Sequence, residues 1–545
     1  MIAGIKDIES EISNILNGFE IEDSIEIRYS NIENIDIQCN NLVRYSNNPN
    51  INDIKEKLEK SLLDHPFIEN IEIAESGFIN LNFSNEYLKT FSKNHTERII
   101  SSKKESILFD YGGPNIGKDL HVGHIRTLNI GRSLYNIFKL AGHNVISDIH
   151  LGDWGMPIGL ILAYIEKENI DINSLTYIDL EIIYPKASEL SADKKDFYKE
   201  AQEISKKLNS KDEVYLSKWE IIYNLAIPNI KSLLQNLNYE FDLWRGESDV
   251  VDEVNTVVAN AKEKNLVVEN DGALVSTEKE DPPILITKSD GSYLYLTTDL
   301  GTVMQREKSQ EYDKYIYVVD SRQKNHFEQV FKTVKHFNLS SSSFIHVGFG
   351  TVNGPDKKPF KTRDGNVYKL SKLHEDIKQK LIKYNEDENI LNILTNTVLT
   401  FSDLLPNRNQ NYEFDLEKFT DINGKTGVYI QYAQVRARKL LESKTEIVNT
   451  NMDSDHNLDE RRLLLLISKF DYFYFQILDN YEPHHLAEYL YSLCQTFNSF
   501  YANNKIFSDD VPHDVKLKRI AIVDNFYTLT SLIFTCLGIQ PVDSM

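Results

Sequence analysis

Two histidines three residues apart, in His121-Val122-Gly123-His124, are the side chains in this chain best suited to hold an anion. On a helix, residues at that spacing share one face, so both imidazoles can reach one group of phosphate oxygens. Backbone amides at a helix start lack intrahelical partners and favour negative charge. Gly123 has no side chain, so a flat base can approach the backbone there. Together these features suit ATP held for attack at its α-phosphate. The same four letters also fit a His-x-x-His metal pair or two surface histidines. The surrounding elements favour the phosphate reading.

Ile107 to Phe109 is a short apolar run bounded by charge and predicts a buried strand. Gly112-Gly113-Pro114-Asn115 breaks it. From Ile125 the apolar residues Leu128, Leu134, Ile137, Phe138 and Ala141 recur at helical spacing until Gly142. Asn144 to His150 predicts a second strand. This is a βαβ unit with a nucleotide-sized opening where the glycine turn meets the helix. Further along, Tyr315-Ile-Tyr-Val-Val-Asp320 and Phe344-Ile-His-Val-Gly-Phe349 are apolar runs of the parallel-strand type. Ser321-Arg-Gln323 sits at the carboxyl end of the first, where open α/β sheets bind ligands. Ser289-Asp-Gly-Ser292 predicts a hairpin turn between apolar runs. Gly354 to Gly365 reads as a basic loop.

The run Pro114-Asn-Ile-Gly-Lys-Asp-Leu-His-Val-Gly-His124, followed by His150-Leu-Gly-Asp-Trp-Gly155, resembles the arginyl-tRNA synthetases, which are class I synthetases. Similar segments recur nearly end to end: Gly77-Phe-Ile-Asn-Leu81, Phe241 to Asp249, Phe497-Asn-Ser-Phe-Tyr501 and Leu537-Gly-Ile539. The resemblance implies a two-step reaction. Arginine attacks ATP to give arginyl-adenylate and pyrophosphate, and the arginyl group then passes to the 3′-terminal adenosine of tRNA(Arg), releasing AMP. Such chemistry rests on positioning and charge stabilisation rather than on a covalent nucleophile.

By that resemblance His121, Gly123 and His124 hold the nucleotide. The loop has Pro359-Phe-Lys-Thr-Arg363 where most class I enzymes carry Lys-Met-Ser-Lys-Ser. Lys118, just ahead of the histidines, is then expected to supply the missing charge, with Lys361 and Arg363 adding to it when the loop closes. Asp110, Asn115, Tyr295, Asp299 and Gln323 are the expected arginine-binding residues. A guanidinium fork suits a carboxylate in bidentate geometry, and Asp299 is the expected partner with Tyr295 packed beside it. Tyr429, Tyr432 and Arg436, at i, i+3 and i+7, present two aromatics and a cation to stack tRNA bases.

With 60 Lys plus Arg against 82 Asp plus Glu, the net charge is −22, which argues against whole-surface nucleic-acid binding and makes any RNA contact a matter of local patches. Cys39, Cys494 and Cys536 are scattered and suggest neither a disulfide frame nor a zinc site. No metal site is expected, magnesium entering only with ATP. No signal-peptide pattern opens the chain, and no apolar run reaches membrane-spanning length, so a cytoplasmic monomer without membrane contact is expected.

The 545 residues exceed one domain. The expected organisation is a multidomain α/β protein. Residues 1–105 form a small α+β domain contacting tRNA. Residues 106–425 form a Rossmann-type parallel-sheet catalytic domain with a helical insertion at about 160–282. Residues 426–545 form an all-α anticodon-binding bundle. The same adenylate chemistry could serve another acceptor, or an inactive RNA-binding paralogue could keep the fold. The extra domains argue against the first, and the intact His121, His124, Lys118 and Asp299 set against the second.

Overall fold

A computed structural model describes residues 3–280, 282–289, 291–354, 368–443 and 455–545. The chain divides into two compact units. One is Ser101–Asp421 with Leu537–Ile539, and the other joins Met1–Ile100 to Ile422–Cys536 and Gln540–Met545.

The centre of the first unit is a five-stranded sheet of β1 (Ser106–Tyr111), β2 (Asn144–Leu151), β3 (Leu243–Gly246), β4 (Lys314–Asp320) and β5 (Ser343–Phe349). Its order is β5-β4-β1-β2-β3, and every pairing is parallel. The chain leaves β1 toward β2 on one side and later returns to β4 on the other. The order therefore reverses between β1 and β4, and a crevice opens at their carboxyl ends. Both faces of such a sheet are covered, which is why Ile107, Leu108, Phe109 and Ile316, Val318 are fully buried and the strands read as apolar runs.

Helix α1 (Ile125–Leu140) packs on β1, β2 and β4. It buries Ile125, Leu128, Ile130, Leu134, Ile137 and Phe138, each contributing roughly 1.5–3 kcal/mol relative to exposure. Its polar residues also fix its position. Thr127 Oγ1 donates to Val318 O of β4 at 2.7 Å and accepts from Gly112 N of the glycine turn at 3.0 Å. The helix lies so close to the end of β1 that a Cβ on Gly131 would fall 2.2 Å from the Tyr111 ring.

The segment expected to be a mainly helical insertion carries Met156–Lys167, α2 (Tyr177–Asp193), Lys195–Asn209 and Glu213–Asn236 as helices. It also supplies β3, an edge strand of the main sheet, and the first two strands of a small antiparallel sheet, Val267–Asn270, Ala273–Ser276 and Leu285–Thr287. β3 has only four residues, Leu-Trp-Arg-Gly, too few for a periodic signal. Lys288 N donates to Ser292 O at 2.9 Å, and Asp290 of the expected turn lies outside the described residues. No second long strand leaves that turn, because helix α3 (Tyr295–Ser309) begins almost at once. Beyond β4 comes α4 (Lys324–His336).

The other unit holds an antiparallel sheet of Ile27–Tyr29, Ile37–Cys39, Ile79–Phe83 and Ile68–Ile73, in that spatial order. Only Ile68 on Ile68–Ile73 is buried, so no alternation marks that strand. The helical part comprises Gly427–Glu442, Leu458–Ser468, Phe470–Asn480, His484–Asn503 and His513–Leu537. Leu458–Ser468 and Phe470–Asn480 are separate helices that meet at Lys469. The last helix is, against expectation, long and apolar enough by composition to cross a membrane. Most of it is buried inside the fold, and Phe526 stacks on Phe497 at 3.9 Å.

Candidate active site

The histidine pair sits where Val122–His124, a single 3-10 turn, leads into α1. Gly123 N donates to His121 Nδ1 at 3.0 Å, and His121 N donates to His124 Nδ1 at 3.0 Å. Each Nδ1 is met by a backbone N–H, and the His124 Nδ1 also lies 3.3 Å from His121 O; the neutral tautomer that accepts both amides carries its proton on Nε2. Burial lowers the pKa of His121, with the nearby Lys118 charge adding to it. Burial, helped by His121, pushes His124 down to about 3. Both rings are therefore neutral at pH 7, and each offers one Nε2–H. Their centroids are 4.0 Å apart, so the two donors form one cradle. Neutral donation to an anion is what the geometry provides.

Asn115, in the turn after β1, forms a bridge with Gly152 after β2. Ile116 N bonds Gly152 O and Gly152 N bonds Pro114 O, both at 3.0 Å. The Asn115 side chain lies against Gly152 so closely that a Cβ there would meet its Oδ1 at 1.8 Å. Lys118 is exposed and close enough to the pair to depress both histidines. Lys361 and Arg363 lie outside the described residues.

Asp110 does not stand free at the end of β1. Arg306 of α3 donates to its Oδ2 at 2.6 Å, to Asp148 Oδ2 of β2 at 2.8 Å, and to the Tyr317 hydroxyl of β4 at 3.2 Å. Arg306 is fully buried. Burial alone would lower its pKa; the Asp110 and Asp148 charges outweigh that and hold it well above the arginine range. Residue reading alone missed this guanidinium. The clue lay in α3 itself, where Tyr295, Asp299, Thr302 and Arg306 fall at i, i+4, i+7 and i+11 on one face.

Asp299 is also engaged. Its Oδ2 lies 2.6 Å from His326 Nε2 of α4, and that contact raises the His326 pKa. His326 was likewise missed, since 27 residues separate the partners and nothing local links them. Tyr295, at the first position of α3, is 68% exposed. It lines a cavity of about 460 Å³ with Trp154, Met156, Tyr198, Glu247 and Lys288. Glu247 follows β3 on a turn that Asp153 holds by accepting from Ser248 N at 3.0 Å and Ser248 Oγ at 2.6 Å. Burial, with the Asp153 and Asp299 charges, pushes Glu247 up to about 8. Gln323 is exposed at the carboxyl end of β4, as expected from its position. His150 lies at the end of β2, and neither of its buried ring nitrogens has a protein hydrogen-bond partner among the described residues.

In the other unit, Tyr429, Tyr432 and Arg436 share a half-buried face of Gly427–Glu442. Arg436 stacks on Tyr432 at 4.1 Å, donates to its hydroxyl at 2.7 Å and to Asn498 Oδ1 at 3.1 Å. Tyr429 packs on Tyr491 at 5.3 Å. The face is an ordered aromatic and cationic patch, half open to solvent.

The family described as "tRNA synthetases class I (R), catalytic domain" matches residues 88–416. "DALR anticodon binding domain" matches 430–545, and "Arginyl tRNA synthetase N terminal domain" matches 5–83. The chain is 34% identical to an arginine–tRNA ligase of Agathobacter rectalis, with 90% of each chain covered, and 33% identical to one of Alkaliphilus oremlandii at the same coverage. Among solved structures, it is similar to the arginyl-tRNA synthetase of Plasmodium falciparum with a TM-score of 0.82 and 26% identity, covering 100% of both chains. It shares the fold of the Thermus thermophilus enzyme with a TM-score of 0.81 at 18% identity, covering 99% of this chain and 100% of that one. With a family match over 88–416 and one-third identity along nine-tenths of its length, the chain belongs to the class I arginyl-tRNA synthetases.

Proposed function

We propose that the crevice at the carboxyl ends of β1 and β4 is where this arginine–tRNA ligase condenses ATP with L-arginine and passes the arginyl group to the terminal adenosine of tRNA(Arg). The observation that carries this reading is the pair of neutral imidazoles, each with its Nε2–H free of the backbone, at the start of α1. In this reading His121 and His124 donate to the ATP phosphates, the base lies against Gly123, and ATP arrives as its magnesium complex. Lys118 offsets the charge that grows on the pyrophosphate, and Lys361 and Arg363 join it. Asn115 and Asp110 face the α-amino and carboxyl groups of arginine, Gln323 closes the far wall, and Asp299 with Tyr295 receives the guanidinium. Asp110 keeps one oxygen on Arg306, which holds it in place. Tyr429, Tyr432 and Arg436 contact tRNA. The domains we assign are 1–105, 106–425 and 426–545. We place the enzyme in the cytoplasm as a monomer; its three free, buried cysteines fit a reducing compartment.

ATP–pyrophosphate exchange with each amino acid, with and without tRNA, tests the assignment. Arginine alone is expected to support exchange, and tRNA to be required. Strong exchange with lysine would defeat the reading, because a planar fork and an ammonium make different demands on the same carboxylate.

Asp299→Asn is expected to raise the KM for arginine about thirty-fold, while that for ATP stays within a few-fold. The change replaces a charge-assisted bond by a neutral one, roughly 2 kcal/mol when buried. The shape is unchanged, but His326 also loses its ion-pair partner, so melting curves accompany the kinetics. An unchanged arginine constant with a lower melting temperature would make Asp299 a structural anchor for His326.

The pH profile offers a separate check on Glu247. At pH 7 it is protonated; above about 8 it ionises and adds negative charge near Asp299. The kcat/KM for arginine is therefore expected to rise through pH 8, and Glu247→Gln to lose that rise. The same basic limb in both proteins would remove Glu247 from arginine binding.

A further inference from the structure

One face of α2 is applied to the segment just ahead of the histidine pair. Tyr177, Glu181 and Tyr184 lie at i, i+4 and i+7 on that face. The Tyr177 hydroxyl donates to Asp119 Oδ1 at 3.3 Å. Glu181 Oε2 lies 2.7 Å from Lys369 Nζ, which also pairs with Asp119. The Lys118 ammonium lies over the Tyr184 ring, 4.6 Å from its centroid. Lys369 belongs to a stretch that pairs with the histidine segment itself. Val122 N bonds Tyr368 O at 3.0 Å, and Leu370 N bonds Leu120 O at 2.8 Å. One helix face thus grips both chain segments that meet at the histidine cradle.

The two lysines are treated differently. Lys369 is neutralised by two carboxylates. Among the described residues no carboxylate lies within ion-pair distance of Lys118, and its contact is the face of a ring. A carboxylate would compete with phosphate for the ammonium. A ring holds the cation by its quadrupole and leaves the full charge for an incoming anion. Gly117, just ahead of Lys118, packs closely on the same surface, where an added Cβ would meet Ile161 Cδ1 at 2.7 Å and Tyr184 Cβ at 3.7 Å.

We propose that Tyr184 is a positioning residue for adenylate formation: its ring holds the Lys118 ammonium, charge intact, beside the histidine cradle. The inference rests on the reading that Lys118 stabilises the pyrophosphate end of ATP.

Four proteins test it: Tyr184→Leu, Tyr184→Phe, Lys118→Ala and the double variant Lys118→Ala/Tyr184→Leu. Each is assayed by tRNA-dependent ATP–pyrophosphate exchange and by thermal melting. Tyr184→Leu is expected to lower kcat on the order of 3- to 30-fold, the range for a ring–cation contact, with the KM for arginine and the melting temperature unchanged. Tyr184→Phe keeps the ring and is expected to stay within about two-fold of the parent. In the Lys118→Ala background the leucine substitution is expected to change the rate less than about two-fold, because the group it positions is gone. Equal losses in both backgrounds, a loss matched by a lower melting temperature, or no loss in Tyr184→Leu would each overturn the proposal. A near-parental rate for Lys118→Ala alone would instead remove the role of Lys118 on which it rests.

Discussion

Replacing Lys118 by alanine is expected to slow adenylate formation by about 10²–10³-fold while leaving tRNA affinity within about two-fold. The magnitude is that for removing one charge-stabilising group from a preorganised site. The histidine pair shows why a cation is needed. Both rings are neutral, so they donate hydrogen bonds to phosphate but bring no positive charge. Attack on the α-phosphate drives charge onto the departing pyrophosphate, and a cation must meet it. Lys118 is exposed, lies near both rings and is held by a ring rather than a carboxylate. Its removal leaves the transition state short of a charge but opens no core. Pyrophosphate exchange and filter binding of tRNA separate the two effects. A near-parental exchange rate would shift the role to Lys361 in the basic loop.

The second large effect concerns stability. Arg306→Met is expected to destabilise the unit by about 3–5 kcal/mol, read as a lower midpoint in urea. Arg306 has no exposed surface, and it is the partner shared by Asp110 and Asp148. Methionine fills similar volume, so the loss comes from two carboxylates left facing each other in a buried site, not from a cavity. Combining it with Asp110→Asn and Asp148→Asn is expected to recover much of the midpoint, since a neutral cluster does not carry that penalty. If the single variant melted like the parent, the carboxylates would have another way to discharge, and the triad would not be what holds the ends of β1, β2 and β4 to α3. Arginine activation is expected to fall in the triple variant despite its recovered stability, because Asp110 is one of the residues proposed to face the substrate.

Much of the site was legible in the sequence. His121, Gly123 and His124 could be placed at a helix start because the apolar run of β1, the glycine turn and the 3.6-residue period of α1 are local features within some thirty residues. Tyr295 and Asp299 sit on one face of one helix, as spacing alone requires. Gln323 lies at the end of a strand whose five apolar residues announce it. Where the signal was short, it failed. The four-residue β3 and the strand Ile68–Ile73 carry no usable periodicity.

What the sequence by itself determined is the set of groups and the elements that carry them, because helix and strand periods are short-range properties of the chain. Only the tertiary structure decided what each group is paired with. Asp110 answers to Arg306 across 196 residues, and Asp299 to His326 across 27. Glu247 is protonated near neutrality because of burial and two carboxylates, Asp153 and Asp299, brought to it from elsewhere in the fold. Lys118 lies against an aromatic ring of α2 rather than an acid, so no carboxylate competes with an incoming anion for it. Charge and protonation depend on burial and on neighbours within a few ångströms, and those neighbours are chosen by packing, which no local spacing encodes.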